Sequence, residues 1–332
     1  GQLGDSTKTE RTTPSTVKGL AGVTAITGGN AHSCALKKDG TAACWGRNSH
    51  GQLGDGTKVN RTVPSTVKGL SGVVALAAGS NSTCALKKDG TVACWGANSF
   101  GQLGNGTHSD TAKPVAVKGL SGAVTIGNGE SHHCAVKKDG TALCWGRNNY
   151  GQIGDGTKTS RPAPVAVKGL SGAVDIAGGN LHTCAVKKDG TALCWGRNNG
   201  YGQLGDGTYE NRSTPAAVKG LSGAVAIVAG ALHSCAKRTN TTIACWGDSK
   251  YQQVGTGEGS DSLVADNVNA LKAGPNKCND GNLCTGGDVC TTGKCGPGWA
   301  KDCDDGSDCT TDSCDPQTGC KHVKKSTPCD DD

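Results

Sequence analysis

The sequence is poor in aromatic side chains and contains no methionine: aromatic residues make up 3% of its 332 positions, with a single phenylalanine. A thick conventional core is therefore excluded, because such cores depend on large apolar side chains. No apolar run is long enough to predict a membrane span, and no signal peptide is visible. Phosphate-binding loops, haem-attachment motifs, Ser-His-Asp sets and paired-carboxylate clefts are also absent. We therefore expect a protein that is not an enzyme and holds no cofactor.

What the sequence does contain is a repeat of about fifty residues. The motif Gly-Gln-Leu-Gly-Asp-Gly-Thr, with small variations, begins at Gly1, Gly51, Gly101, Gly151 and Gly202. Each unit continues with Val-Lys-Gly-Leu, a run of small apolar residues and two cysteines before a Trp-Gly pair. A period of this length is typical of one supersecondary unit stacked on its neighbours, since a single unit cannot bury its own apolar face.

Each repeat predicts short strands and a hairpin. In the first repeat we expect strands at residues 16–18 and from Val23, followed by a hairpin whose turn is residues 38–40. The Asp-Gly pair of that turn favours a three-residue loop with Gly40 at positive φ. Counting outward from this turn places Cys34 opposite Cys44 as a non-hydrogen-bonded pair, with Cα atoms about 4.5 Å apart.

That separation is within reach of a disulfide, and the pattern recurs in every repeat. Zinc binding is the alternative, but the spacing lacks the Cys-x-x-Cys pairs that zinc sites use. Five bridges would compensate for a thin apolar core. The predicted disulfides are Cys34–Cys44, Cys84–Cys94, Cys134–Cys144, Cys184–Cys194 and Cys235–Cys245.

Histidine and tryptophan also recur at fixed positions. A histidine stands two places before the first cysteine in four repeats, but Ser82 takes that place in the second and interrupts a metal-binding ring. Hydrogen bonding within the blade is the favoured role. A tryptophan follows each second cysteine; packing against the next blade is favoured over sugar binding. These residues are His32, His132, His182 and His233, and Trp45, Trp95, Trp145, Trp195 and Trp246.

The combined phrase G-x-x-H-x-C-A-L-x-x-D-G-x-x-x-C-W-G-x-N-x-x-G-Q-L-G-D-G-T resembles the repeats of the regulator of chromosome condensation family over residues 1–270. The resemblance implies a β-propeller with four-stranded blades, usually seven. The paired cysteines are not part of the eukaryotic pattern and resemble a variant in exported bacterial proteins. The fifth unit departs from the pattern, since its turn has no glycine and Lys237 replaces leucine.

The sequence changes character after residue 275. Nine cysteines follow at intervals that indicate a second repeat of about 25 residues, which disulfides must hold because it has no core. Cys329 is the odd one and is a candidate for an intermolecular bridge. The acidic residues of this tail suggest Ca²⁺, although their spacing is not that of an EF-hand loop. The candidates are Asp304, Asp305, Asp308 and Asp312.

Charge is divided between the two parts. The segment from Cys278 to Asp332 holds 5 lysines and 11 aspartates, whereas the rest carries 29 basic and 17 acidic residues. Such a division favours head-to-tail attraction between copies or an anionic glycan partner, against the plainer interpretation of two solvated surfaces. Nucleic acid is not an expected partner, because no aromatic residues are interleaved with the basic ones.

Together these patterns predict an all-β protein: a propeller over residues 1–275, with five full units and a partial sixth, and a Cys-rich tail over residues 276–332. Nineteen cysteines indicate an extracellular or cell-surface setting. The sequence begins and ends inside motifs, which we interpret as a piece of a longer exported protein. The expected function is a structural or adhesive protein that assembles into a surface fibre or coat. The alternatives are a secreted binding module or inhibitor using one propeller face, and nucleotide exchange on a nuclear GTPase, which oxidised cysteines disfavour.

Overall fold

The computed structural model describes residues 1–255 and 261–268, together with six short strands between residues 285 and 324. Contacts divide the chain into two units, Gly1–Val268 and Asn269–Asp332. The first unit is all-β, as the sequence predicts, and consists of five antiparallel four-stranded sheets, here called blades 1 to 5. Within each blade the strands follow one another in chain order.

The twenty strands of the blades repeat with the period of the sequence. Blade 1 comprises β1 (Val23–Gly28), β2 (His32–Lys37), β3 (Ala42–Gly46) and β4 (Arg61–Thr66). Blade 2 comprises β5 (Val73–Ala78), β6 (Ser82–Lys87), β7 (Val92–Gly96) and β8 (Thr111–Ala116), and blade 3 comprises β9 (Ala123–Asn128), β10 (His132–Lys137), β11 (Ala142–Gly146) and β12 (Arg161–Ala166). Blade 4 comprises β13 (Ala173–Gly178), β14 (His182–Lys187), β15 (Ala192–Gly196) and β16 (Arg212–Ala217), and blade 5 comprises β17 (Ala224–Ala229), β18 (His233–Arg238), β19 (Ile243–Gly247) and β20 (Ser262–Asn267).

The hairpin of the second and third strands has the predicted register. In blade 1, Cys34 lies opposite Cys44, and the Lys37 amide donates to the carbonyl oxygen of Thr41 at 2.9 Å. Gly40 has a φ of 75°, a conformation that suits glycine because it has no Cβ. In blade 5, Thr241 occupies the equivalent position at a φ of 65°.

The position of the fourth strand differs from the prediction. Residues 16–18 form no strand, and each fourth strand lies just before the Val-Lys-Gly-Leu motif, as β4 does at Arg61–Thr66. Each fourth strand pairs with the third strand of the preceding repeat. Among the described residues, no such third strand lies beside residues 16–18. Each blade therefore spans a repeat boundary, and the partial sixth unit supplies β20 to complete blade 5.

First strands of successive blades contact one another and surround an axis. A chain of backbone hydrogen bonds joins the loops that follow these strands: the Asn30 amide donates to Ser80 O, Ser80 to Glu130 O, and Asn180 to Ala231 O, at 3.0–3.3 Å. The apolar core lies between blades, in four clusters that each join two neighbours. This arrangement explains how a chain with so few large side chains folds, since small apolar side chains are enough to fill the space between two adjacent blades.

The second unit contains β21 (Thr285–Gly286), β22 (Val289–Thr291), β23 (Lys294–Gly296), β24 (Trp299–Ala300), β25 (Thr310–Asp315) and β26 (Gly319–Lys324). Its pairs are antiparallel: β21 with β24, β22 with β23, and β25 with β26. The register places Cys290 opposite Cys295 and Cys314 opposite Cys320.

Candidate functional site: the blade interfaces

The five predicted cysteine pairs are disulfides that bridge β-strands within each blade, with Cα atoms 4.0–4.1 Å apart. In blade 1 the bridge lies on the face that packs against blade 2, in one cluster with Ala85 and Trp95. Both of its cysteines are fully buried. The disulfide therefore forms part of the apolar contact between blades in addition to fastening its own hairpin.

The Gly-Gln-Leu-Gly motif inserts between neighbouring blades. Leu53 is fully buried between blades 1 and 2, and the carbonyl oxygen of Gln52 accepts the indole N–H of Trp95 at 2.9 Å. A Cβ at Gly54 would lie 2.8 Å from that indole nitrogen, so only glycine fits there. Trp95, Trp145, Trp195 and Trp246 thus pack against the preceding blade, whereas the sequence predicts packing against the next one. Trp45 of blade 1 donates to the Gln2 carbonyl oxygen at 2.8 Å.

The recurrent histidines form hydrogen bonds between blades. Nε2 of His32 lies 2.9 Å from Oγ1 of Thr83 in blade 2, and Thr83 donates its hydroxyl hydrogen to the Gln52 carbonyl at 3.0 Å. A threonine hydroxyl has one hydrogen, so His32 must donate from Nε2. The same relay recurs from His132 to Thr183 and from His182 to Ser234.

Burial keeps these histidines neutral. Desolvation lowers the pKa of His32 and of His132 to about 4, and that of His182 to about 3. The Nδ1 atoms of all three have no hydrogen-bond partner among the described residues. A neutral imidazole with its hydrogen on Nε2 has only a lone pair on Nδ1, so an Nδ1 without a partner leaves no donor unsatisfied. The relay requires this Nε2–H tautomer.

The interface of blades 2 and 3 forms the same contact with the histidine and the hydroxyl residue exchanged between the two blades. Ser82 stands where the other blades carry histidine, and its Oγ lies 2.9 Å from Nε2 of His133 in blade 3. His133 occupies the position held by Thr83 in blade 2, and burial lowers its pKa to about 3. Ser82 interrupts the set of recurrent histidines, as the sequence predicts, but the hydrogen bond between the two blades is preserved.

No group of three or more potential metal ligands occurs in the part of the chain that the structure describes. The recurrent histidines are separated by whole blades and serve the interfaces. Of the calcium candidates, Asp312 lies in β25, whereas Asp304, Asp305 and Asp308 fall outside the described residues, as does Cys329.

The outer faces of the first and last blades are not covered by another blade within the described residues. Ile26 of blade 1 is 78% exposed, while its equivalents Ile176 and Ile227 are buried. On blade 5, Ile243 is 46% exposed and an apolar cavity of about 540 Å³ opens beside the Cys235–Cys245 disulfide. These two surfaces, defined by Ile26 and Ile243, are called the open faces below.

The two open faces carry the unpaired halves of an interface. Ser33 on blade 1 donates to the carbonyl oxygen of Gln2 at 3.1 Å, as Thr83 does to Gln52, but no histidine reaches it among the described residues. His233 on blade 5 is only half-buried. The two open faces are not fully complementary to each other, because Lys237 stands on the blade 5 face where the inner blades carry leucine or valine.

Comparison with known proteins agrees with this architecture. The family model described as RCC1-like domain matches residues 1–292. The chain belongs to the RCC1-like domain family. No curated protein sequence matches the chain. In the described residues, no helix is long and apolar enough to cross a membrane.

Solved structures are similar to this RCC1-like propeller. Human WBSCR16 has a TM-score of 0.68 at 22% identity, with 74% of this chain and 67% of that chain covered. Yeast RCC1 (Prp20), in its complex with Kap60, has a TM-score of 0.65 at 23% identity, covering 74% and 61%. Prp20p of Saccharomyces cerevisiae, studied for binding to Gsp1p and histones, has a TM-score of 0.64 at 25% identity, covering 76% and 64%. This chain spans about two thirds of the length of these proteins.

Proposed function

We propose that this RCC1-like propeller is an extracellular structural or adhesive protein that assembles into a surface fibre or coat. The observation that carries the proposal is the pair of open faces on a propeller strengthened by one disulfide per blade. Disulfides persist in oxidising compartments, which supports an extracellular or cell-surface location and opposes a nuclear exchange factor. A propeller built of repeated interfaces, in which the recurrent histidines and tryptophans pack between blades, also supports a non-enzymatic role.

The open faces favour association because they expose apolar side chains that the inner blades bury. A contact between different faces of two copies is heterologous, and it produces a filament when the rotation does not close. The partner is accordingly another copy of the chain, with another surface protein or a glycan as the other candidates. The tail is acidic and the propeller is basic, so the attraction between their opposite charges also favours association of copies.

Sedimentation of the unreduced chain tests the proposal. We expect concentration-dependent oligomers that are lost in Ile26→Asp and in Ile243→Asp, because each places a charge on one open face. Val174→Asp is the matched control, since Val174 is also exposed but lies on an inner blade. A wild-type chain that remains monomeric would contradict assembly, as would equal effects of all three substitutions.

A secreted protein-binding module is the second candidate. It is favoured by the loops between the third and fourth strands, which all lie on one face of the propeller because the blades repeat one topology. The most variable part of each repeat falls in or beside these loops, at residues 8–13, 58–63, 108–113, 158–163 and 209–214. Variation concentrated on one side of a repeat array is typical of a contact surface.

A further inference from the structure

The aromatic residues are divided between two places in the propeller. Four tryptophans are buried between blades and Trp45 is buried against Gln2 and Gly4, whereas the single phenylalanine and all four tyrosines lie in the loops between third and fourth strands. Packing of the thin core accounts for the tryptophans but not for the others. The loop-borne residues are Phe100, Tyr150, Tyr201, Tyr209 and Tyr251.

Three of these rings stack with arginines of the same face. The guanidinium of Arg147 lies 5.0 Å from the ring centroid of Phe100, which belongs to the preceding loop. Arg197 lies 5.6 Å from both Tyr150 and Tyr201, so its guanidinium contacts two rings. We call these five residues the arginine ladder. Each contact places a guanidinium near the electron-rich face of an aromatic ring.

The fold does not require the ladder. In blade 2, Ala97 occupies the position of Arg147 and Arg197, and His50 occupies the position of the preceding aromatic ring. That blade has the same strands, disulfide and interface contacts as the others. An arginine–aromatic ladder over blades 2 to 4 is therefore an addition to a framework that is complete without it.

The charge around the ladder is predominantly positive. The loop carboxylates Asp155 and Asp206 are engaged by Arg161 at 2.6 Å and Arg212 at 2.8 Å. Their pKa values are lowered although burial acts in the opposite direction, because threonine hydroxyls and these arginines hold the charged form. The exposed Lys158 adds to the charge of the ladder arginines. Glu130, 4.0 Å from Arg147, Glu210, and Asp110, 2.8 Å from His50, are acidic exceptions among the described residues of this region.

We propose that the arginine ladder binds an acidic, extended segment of a partner protein. Arg197 uses Nε to donate to Asn199 at 3.2 Å, and its terminal amino groups have no partner among the described residues. Those groups can bind a carboxylate in a bidentate manner. Stacking between rings already fixes the side chain, so binding loses less conformational freedom.

The same geometry favours a peptide over a sugar. In the ladder a guanidinium lies over one face of each of the three rings, which reduces the aromatic surface on which a sugar could stack. Tyrosine and arginine are also the residues enriched in binding hot spots between proteins. This surface lies away from the open faces, so the inference does not depend on assembly.

The test is fluorescence anisotropy of a labelled peptide of alternating glutamate and alanine, titrated with the full chain. The variant Arg147→Ala/Arg197→Ala copies what blade 2 already contains at Ala97, so its thermal unfolding should match wild type. We expect its dissociation constant to rise about tenfold or more.

The matched control is Lys138→Ala/Lys188→Ala, which removes the same charge from exposed turns on the opposite face. It should change the dissociation constant less than about twofold, because screening limits distant charges. Absence of peptide binding, or equal weakening by both double variants, would overturn the proposal. Tighter and ladder-dependent binding of polygalacturonate would also overturn it in favour of a glycan.

Discussion

Ser82 and His133 meet across the interface of blades 2 and 3 with Oγ and Nε2 2.9 Å apart, the reverse of the His32–Thr83 contact one blade earlier. Both pairs place one imidazole and one hydroxyl in the same buried space. The first interface takes its imidazole from the preceding blade, and the second from the following blade. Exchange of the two residues thus preserves volume and hydrogen bonding together.

This exchange predicts strong coupling between the two positions. Ser82→His alone would bring two imidazoles into a space that holds one, and His133→Thr alone would leave a cavity with no imidazole. Each single substitution should lower the free energy of unfolding by about 1–3 kcal/mol. The double variant recreates the His32–Thr83 arrangement and should recover most of the loss. Chemical denaturation of all four proteins measures the coupling; additive losses would show that the residues act independently.

Local patterns in the sequence determined the hairpins, and three-dimensional neighbours determined what was missed. Asp39-Gly40 fixed the turn, and counting from it gave the partners of Cys34 and Cys44, because strand pairing alternates regularly. The fourth strands were misplaced, since nothing in residues 16–18 shows which repeat supplies their partner. Likewise, the role of Ser82 depends on a residue 51 positions later, which only the stacking of blades brings near.

The arginine ladder illustrates the same limit. Its residues recur in phase, so the sequence contained a signal at Phe100, Tyr150 and Tyr201. What the sequence did not contain was the rotation between blades that places Arg197 between two tyrosines of different loops.

Acid should destabilise the propeller through its buried histidines. Burial lowers the pKa of His32 to about 4 from an unfolded value near 6.5, so between these values the unfolded chain binds more protons. Stability is complete above about pH 6.5 and falls as the pH decreases toward 4. The loss at pH 5 is about 2 kcal/mol for each histidine with this shift.

Denaturation at pH 7 and pH 5 measures this loss. His32→Gln keeps an N–H donor for Thr83 and removes one titrating group, so it should reduce the difference between the two pH values by about 2 kcal/mol. The exposed His108 provides the control, and His108→Gln should leave the difference unchanged. Equal stability at both pH values would contradict the buried neutral relay.

The Cys235–Cys245 disulfide should be the first of the five blade disulfides to be reduced under native conditions. Cys235 is partly exposed on the open face of blade 5, whereas Cys84 and Cys184 are at most 1% exposed beneath the next blade. Thiol attack requires access to a sulfur, so the buried bridges must wait for blades to separate. Timed alkylation and peptide mapping during dithiothreitol treatment give the order. Loss of all five bridges at one rate would mean that reduction follows global unfolding.

The turn of blade 5 offers a stabilising substitution. Thr241 adopts a φ of 65°, where a β-branched residue is strained by about 1–2 kcal/mol, while Asn240 still accepts the Thr242 amide at 3.1 Å. Thr241→Gly removes the strain but adds freedom to the unfolded chain, so the net gain should be about 0.5–1 kcal/mol.

The reverse change in blade 2 should cost more than this gain. Gly90 has a φ of 77°, and a Cβ there would lie 3.0 Å from the Cα of Gly122, so Gly90→Thr adds a backbone contact to the dihedral strain. We therefore expect Gly90→Thr to lower the free energy of unfolding by about 2 kcal/mol or more. Urea denaturation of both variants checks the asymmetry, and a neutral Gly90→Thr would show that the turn relaxes to another conformation.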